Sequence, residues 1–121
     1  MKRRTFRQLR ARTESGFHHY VYVVLLDADA AKTFKLRRDN PARDPAKPAV
    51  YVGMSGLPPH ERFANHKQGI KASRVVQRYG IRLLPELYDW LNPMPFEAAA
   101  EMEGALAEDL RKQGYTVAGG H

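Results

Sequence analysis

Apolar residues fall along this chain in short blocks separated by polar stretches that carry proline and glycine. The first block, residues 18–26, reads HHYVYVVLL between Gly16 and Asp27. An almost unbroken run of β-branched and aromatic residues predicts a strand buried on both faces. Alternation along it puts Tyr20, Tyr22 and Val24 on one side and Val21, Val23 and Leu25 on the other. Residues 49–52 (AVYV) predict a second strand that breaks at Gly53. After Pro58-Pro59 the chain restarts as a helix closed by Gly69, because proline fits a first turn where its missing amide hydrogen would have no partner. Residues 72–79 are a short helical candidate with Ser73 as N-cap, 81–84 a third strand, and 85–90 a helical turn stopped by Asn92-Pro93. A long helix is predicted over 96–113 with Gly114 as its stop, followed by a candidate edge strand at 115–117. Residues 27–48, with Pro41, Pro45 and Pro48, read as a loop holding a short strand or hairpin near 32–36. Trp90, the single tryptophan, reads as a core or lid anchor.

The last helix carries an irregularity. At about 100° per residue, Phe96, Ala99, Leu106 and Leu110 form one apolar stripe, with Glu97, Glu101 and Glu108 on the far side. Glu103 falls between Phe96 and Leu110, inside the stripe that should face the core. An inward carboxylate must be paired, metal-bound or protonated, since burying an isolated charge is costly. Two readings follow. One is a salt bridge to a neighbouring arginine, or a side chain that reaches the surface near the helix start. The other is a ligand for a hard divalent cation, which uses one or two carboxylates and keeps most of its waters.

A second irregularity lies in residues 51–69, YVGMSGLPPHERFANHKQG. Arg62 and His66, four apart, project from one helix face. Following a strand-end tyrosine and a turn, a cation beside an imidazole makes an anion or phosphate site. In the alternative reading Tyr51 packs and the other two face water.

Composition narrows the chemistry. The 121 residues, 43% hydrophobic and 27% charged, suit one soluble domain. There is no cysteine, which excludes disulfides and thiolate metal sites. No apolar run approaches the roughly 18 residues of a membrane span. The net charge of +7 is concentrated at Lys2, Arg3, Arg4, Arg7, Arg10 and Arg12, ahead of the first acid, Glu14. Residues 1–15 therefore read as a basic N-terminal arm, a footprint for nucleic acid or a solvated terminus, on which Phe6 and Leu9 dock a short helix; residues 16–121 are the folded domain. Arg3-Arg4 is followed by polar residues, not by the apolar segment of an export signal, so a cytoplasmic protein is expected.

Taken in order, Tyr20-Val21-Tyr22, Tyr51-Val52-Gly53, Arg62, His66 and Glu103 resemble the motif set of the GIY-YIG nuclease superfamily. The resemblance spans about residues 17–118 and is nearest to small stand-alone bacterial members. It implies an α/β (α+β) fold with a small three-stranded sheet flanked by helices, and metal-assisted cleavage of phosphodiester bonds in DNA, with RNA left open. The roles it implies are Tyr22 as general base, Tyr51 orienting water or the scissile phosphate, Arg62 neutralising phosphoryl charge, and His66 binding phosphate or assisting proton transfer. Glu103 would hold one Mg²⁺ or Mn²⁺. Tyr20, Gly53, Ser55, Lys67, Arg74 and Arg78 are expected around the substrate, and the protein is expected to be a monomer or weak homodimer.

Three features depart from the family pattern. The first motif reads YVY, the connection between Tyr22 and Tyr51 is longer than usual, and residues 115–119 lack the late asparagine of many members. The inserted connection is expected to cover or border the site. The missing asparagine keeps a second reading in play: a catalytically weak or inactive nucleic-acid-binding module of the same fold.

Overall fold

The apolar block that opens the domain forms β1 (Tyr20–Leu26) in the computed structural model of the protein, which describes residues 16–121. The basic arm, with the docking expected of Phe6 and Leu9, lies outside the described residues. Val21 to Val24 are all at most 1% exposed, the two-faced burial that their side chains demand. β1 pairs antiparallel with β2 (Ala49–Ser55) and with β3 (Gly80–Leu83). A fourth strand, β4 (Thr116–Gly119), runs parallel to β2 on the other side. The result is an α+β fold whose mixed four-stranded sheet has the order β3-β1-β2-β4.

The three-stranded sheet implied by the resemblance is thus corrected, and the edge strand expected at 115–117 is the fourth member. The TVAG segment is short and only weakly strand-like by composition, and what makes it a strand is the free edge of β2 beside it. Its own outer edge is closed by a side chain. The Asn40 amide accepts from Val117 N–H at 2.9 Å and donates to the Val117 and Leu36 carbonyls. Asn92 does the same for β1 where β3 does not reach, exchanging hydrogen bonds of 2.9 and 2.7 Å with Val21. Satisfying a buried strand edge removes the penalty of unpaired peptide groups.

The connection from β1 to β2 holds no hairpin. It folds as a 3₁₀ turn (Ala28–Lys32) and a short helix, α1 (Phe34–Asp39). The Asp27 carboxylate caps the turn by accepting from Asp29 N–H, and the alanines following it favour helix over strand. Ala30 and Leu36 anchor the pair by burial, while Lys35 and Asp39 bridge one turn of α1 at 3.1 Å.

Next come α2 (Pro59–Gln68), ended by Gly69 at φ +80°, and α3 (Arg74–Tyr79). Ser73 occupies the N-cap position of α3 but makes no side-chain cap bond. Two 3₁₀ turns (Pro85–Leu87 and Asp89–Leu91) lead to α4 (Phe96–Lys112), the longest of the four α-helices among the described residues. Trp90 is half-buried and packs against the core. Ala99, Leu106 and Leu110 are buried as the stripe predicts, whereas Phe96 is 55% exposed. It sits in the first turn of α4 and meets the His19 ring in an edge contact, although Ala98 and Ala99 beside it are buried. No helix among the described residues is long and apolar enough to cross a membrane.

Candidate active site

The β1–β2 register sets Tyr22 opposite Gly53, Val24 opposite Tyr51 and Tyr20 opposite Ser55. Side chains of paired residues share a face, so all three tyrosines stand on the same side of the sheet. Gly53 makes their approach feasible. A Cβ there would lie 2.6 Å from the Tyr22 hydroxyl end and 2.9 Å from the Tyr51 ring. With hydrogen in its place, the Tyr22 ring crosses the neighbouring strand and its centroid comes within 6.2 Å of that of Tyr51. Gly119, at φ +76°, lets the chain pass the other edge of Tyr51, where a Cβ would fall 2.8 Å from the ring.

α2 lays His66 against this pair, fully buried, with its centroid 6.0 Å from Tyr22 and 5.7 Å from Tyr51. His66 Nε2 and the Tyr22 hydroxyl are 2.8 Å apart, and Ser73 N–H donates to His66 Nδ1 at 2.9 Å. Burial, and secondarily Arg62, lower the imidazole pKa to about 4, so the ring is neutral at physiological pH. A neutral ring has one N–H. Because Nδ1 accepts from a peptide, that hydrogen belongs on Nε2, and His66 donates to the Tyr22 oxygen. Both ring nitrogens are therefore occupied inside the protein.

Arg62 donates to the Ile70 and Lys71 carbonyls at 3.3 and 2.8 Å, fixing the loop between α2 and α3. Its charge also acts on Tyr22, Tyr51 and His66, lowering the pKa of all three. Together with Ser55, Asn65 and Lys71 it lines a cleft of about 450 Å³.

Glu103 arrives from α4 and is 8% exposed. Among the described residues no side chain forms an ion pair or hydrogen bond with it, which leaves the salt-bridge reading without a partner there. Burial raises its carboxyl pKa to about 7. The carboxylate in turn raises the pKa of both phenols: Tyr22 mainly by burial, then by Tyr51 and Glu103, and Tyr51 by burial and then Glu103. Tyr22 stands well above the ordinary phenol value and is protonated at neutral pH. A buried carboxylate without a counter-charge suits a cation. Among the described residues no group of three or more His, Asp or Glu side chains gathers to hold one. A divalent ion bound here would thus have Glu103 as its carboxylate ligand and would take its other oxygens chiefly from water.

The remaining expected residues are distributed around this cluster. Tyr20 is half-buried on the same sheet face, while the Ser55 hydroxyl accepts from Leu57 N–H within the turn. Lys67 donates to the Gln77 and Gly80 carbonyls at 3.0 and 2.9 Å, tying α2 to the end of α3. Arg74 and Arg78 are exposed and line a cleft of about 610 Å³ with Tyr51, Ser73 and Lys35. The inserted connection borders this cleft through Thr33, Lys35 and Leu36.

Sequence reasoning missed the part played by Ser73, whose amide orients His66 and whose side chain lowers the Tyr51 pKa against the larger effect of burial. It also missed Gly119 as the seat of the Tyr51 ring. A glycine just past the expected 115–117 strand was the one signal available. Compared with models of known protein families, with curated proteins and with solved structures, the chain finds no match.

Proposed function

We propose that this chain is a metal-dependent endonuclease of the GIY-YIG type that cleaves phosphodiester bonds in DNA. The observation that carries the reading is the gathering of two phenols, an imidazole and a guanidinium at one place, within electrostatic reach of a buried, unpaired carboxylate. Those residues come from two strands and two helices, and the packing of a core has no need of that combination.

In this reading Tyr22 takes the proton of the attacking water. It rests as a phenol, so it must first release its own proton to solvent, and the His66 N–H and Arg62 both favour the resulting phenolate. Tyr51 hydrogen-bonds the water or the phosphate. Arg62 offsets the negative charge that builds on the phosphoryl oxygens, the kind of electrostatic effect that accounts for about 10²–10³ in rate at a preorganised donor. Glu103 holds the divalent ion, which when bound supplies Lewis-acid stabilisation of the leaving oxygen.

The test is nicking of supercoiled plasmid in Mg²⁺ or Mn²⁺. Wild type should nick, Glu103→Ala should not, and Tyr22→Phe should fall by about 10²–10⁴. The wild-type rate should climb with pH above neutrality, as the phenolate fraction grows. A wild type no faster than Glu103→Ala ends the enzymatic reading.

One set of observations favours a second reading, a binding module without turnover. Arg74 and Arg78 offer exposed cations beside Tyr51, Tyr22 is held protonated, and the late asparagine is missing. Salt-sensitive DNA binding that survives Glu103→Ala and weakens on removal of residues 1–12, without nicking, would select it.

A further inference from the structure

The insertion between β1 and β2 leaves a side chain where packing gives no reason for it. Phe34 is 78% exposed, more than any other large apolar residue among those described. It stands at the first position of α1, and Leu36, two residues on, already anchors that helix in the core. Arg37 and Arg38, three and four residues on, share the outward face with Phe34, and the Arg38 guanidinium lies 5.8 Å from its ring. With Lys32, Pro41 and Arg43 these residues line an open depression of about 640 Å³ that contains no acidic residue. Arg43 is held in place by donating to the Arg37 and Asn40 carbonyls. Arg37 has no ion-pair partner among the described residues, whereas Arg38 is paired with Asp39 at 3.1 Å and would have to share its charge.

The other flank of α1 faces the Tyr51 cleft, where Lys35 joins Arg74 and Arg78. A polyanion leaving that cleft would meet Lys35, cross α1 (a helix about 10 Å wide) and reach Phe34 between two arginines. We propose that α1 is a platform for an unpaired nucleotide: a base stacks on Phe34, and its flanking phosphates contact Arg37 and Arg38. The partner is a nucleic acid with a single-stranded segment next to its duplex, such as a tail, flap or gap. An intact duplex keeps its bases stacked inside and offers this surface phosphates only, so the ring itself gains nothing from it. Base–aromatic stacking is indifferent to sequence and operates together with a basic groove that follows the backbone. The position of the platform relative to the cut rests on the nuclease reading; the stacking itself does not.

The experiment measures fluorescence anisotropy of labelled DNA with the wild-type protein in EDTA, so that binding is read without cleavage. Two probes of equal duplex length are compared, one blunt and one with a single-stranded tail. Wild type should prefer the tailed probe. Phe34→Ala should lose about tenfold on the tailed probe and nothing on the blunt one, and Phe34→Trp should restore the preference. Arg37→Glu with Arg38→Glu should weaken both probes and flatten the slope of log affinity against log salt by about 1.5. The platform is overturned if Phe34→Ala leaves tailed-DNA affinity unchanged or lowers both probes equally. Nicking by wild type together with unchanged tail binding by Phe34→Ala rejects the platform alone. A tail preference that depends on Phe34, without nicking, rejects the nuclease alone.

Discussion

Two buried titratable side chains in the cluster lean in opposite directions, and that opposition can be read from folding stability. Glu103 is raised from 4.5 to about 7, so the folded protein holds its proton more tightly than the unfolded chain does. Its contribution to stability is greatest below pH 4.5 and declines as pH rises to about 7. His66 is lowered from 6.5 to about 4, so the folded protein resists its protonation. That contribution is complete above pH 6.5 and is lost as pH falls towards 4. Between about 4.5 and 6.5 the two slopes, each at most about 1.4 kcal/mol per pH unit, offset one another. Urea unfolding across that range should therefore show little dependence from these groups in wild type. Glu103→Gln should leave stability rising with pH, and His66→Gln should leave it falling. Parallel profiles in all three proteins would mean that neither group is perturbed by its surroundings.

The loop from α2 to α3 is the element that gives the cluster its protonation pattern. Arg62 holds it through two carbonyls and His66 holds it through the Ser73 amide, so the loop and the imidazole orient each other. The Ser73 backbone lies at φ -69°, already within the range of a proline ring. Ser73→Pro therefore deletes the N–H donor without demanding a new φ, while Ser73→Ala keeps it and removes only the hydroxyl. Nitrogen NMR of His66 should show the Nε2–H form in wild type and in Ser73→Ala, and a mixture of tautomers in Ser73→Pro. A single unchanged tautomer in Ser73→Pro would place control of the ring elsewhere. Gly53 and Gly119 act on the same cluster through space, each admitting a ring edge where a methyl group would collide.

Across the molecule, the site joins parts distant in sequence, so a ligand bound there should stabilise the whole fold. At pH 8 Glu103 is charged, buried and unpaired, whereas at pH 5.5 it is protonated. Millimolar Mg²⁺ or Mn²⁺ should thus raise Tm by several degrees at pH 8 and by little at pH 5.5, since only binding to the native state adds stability. Glu103→Gln should abolish the difference. An equal shift at both pH values, or one that persists in the variant, would assign the ion to another place.

The chain's own pattern determined β1, the first half of β2 (which continues to Ser55 through the break expected at Gly53), the helix that starts after two prolines, and the long helix with its inward Glu103. Each rests on local periodicity or on a backbone preference that holds wherever the segment lies. Two features were decided only by the assembled fold: α1, because Leu36 found a core to enter, and the exposure of Phe96 at the start of its helix. The same holds for the hydrogen on His66 and the proton on Glu103. Protonation depends on which peptide or carboxylate lies within a few ångströms and on how much water remains, and neither is written in any one stretch of sequence.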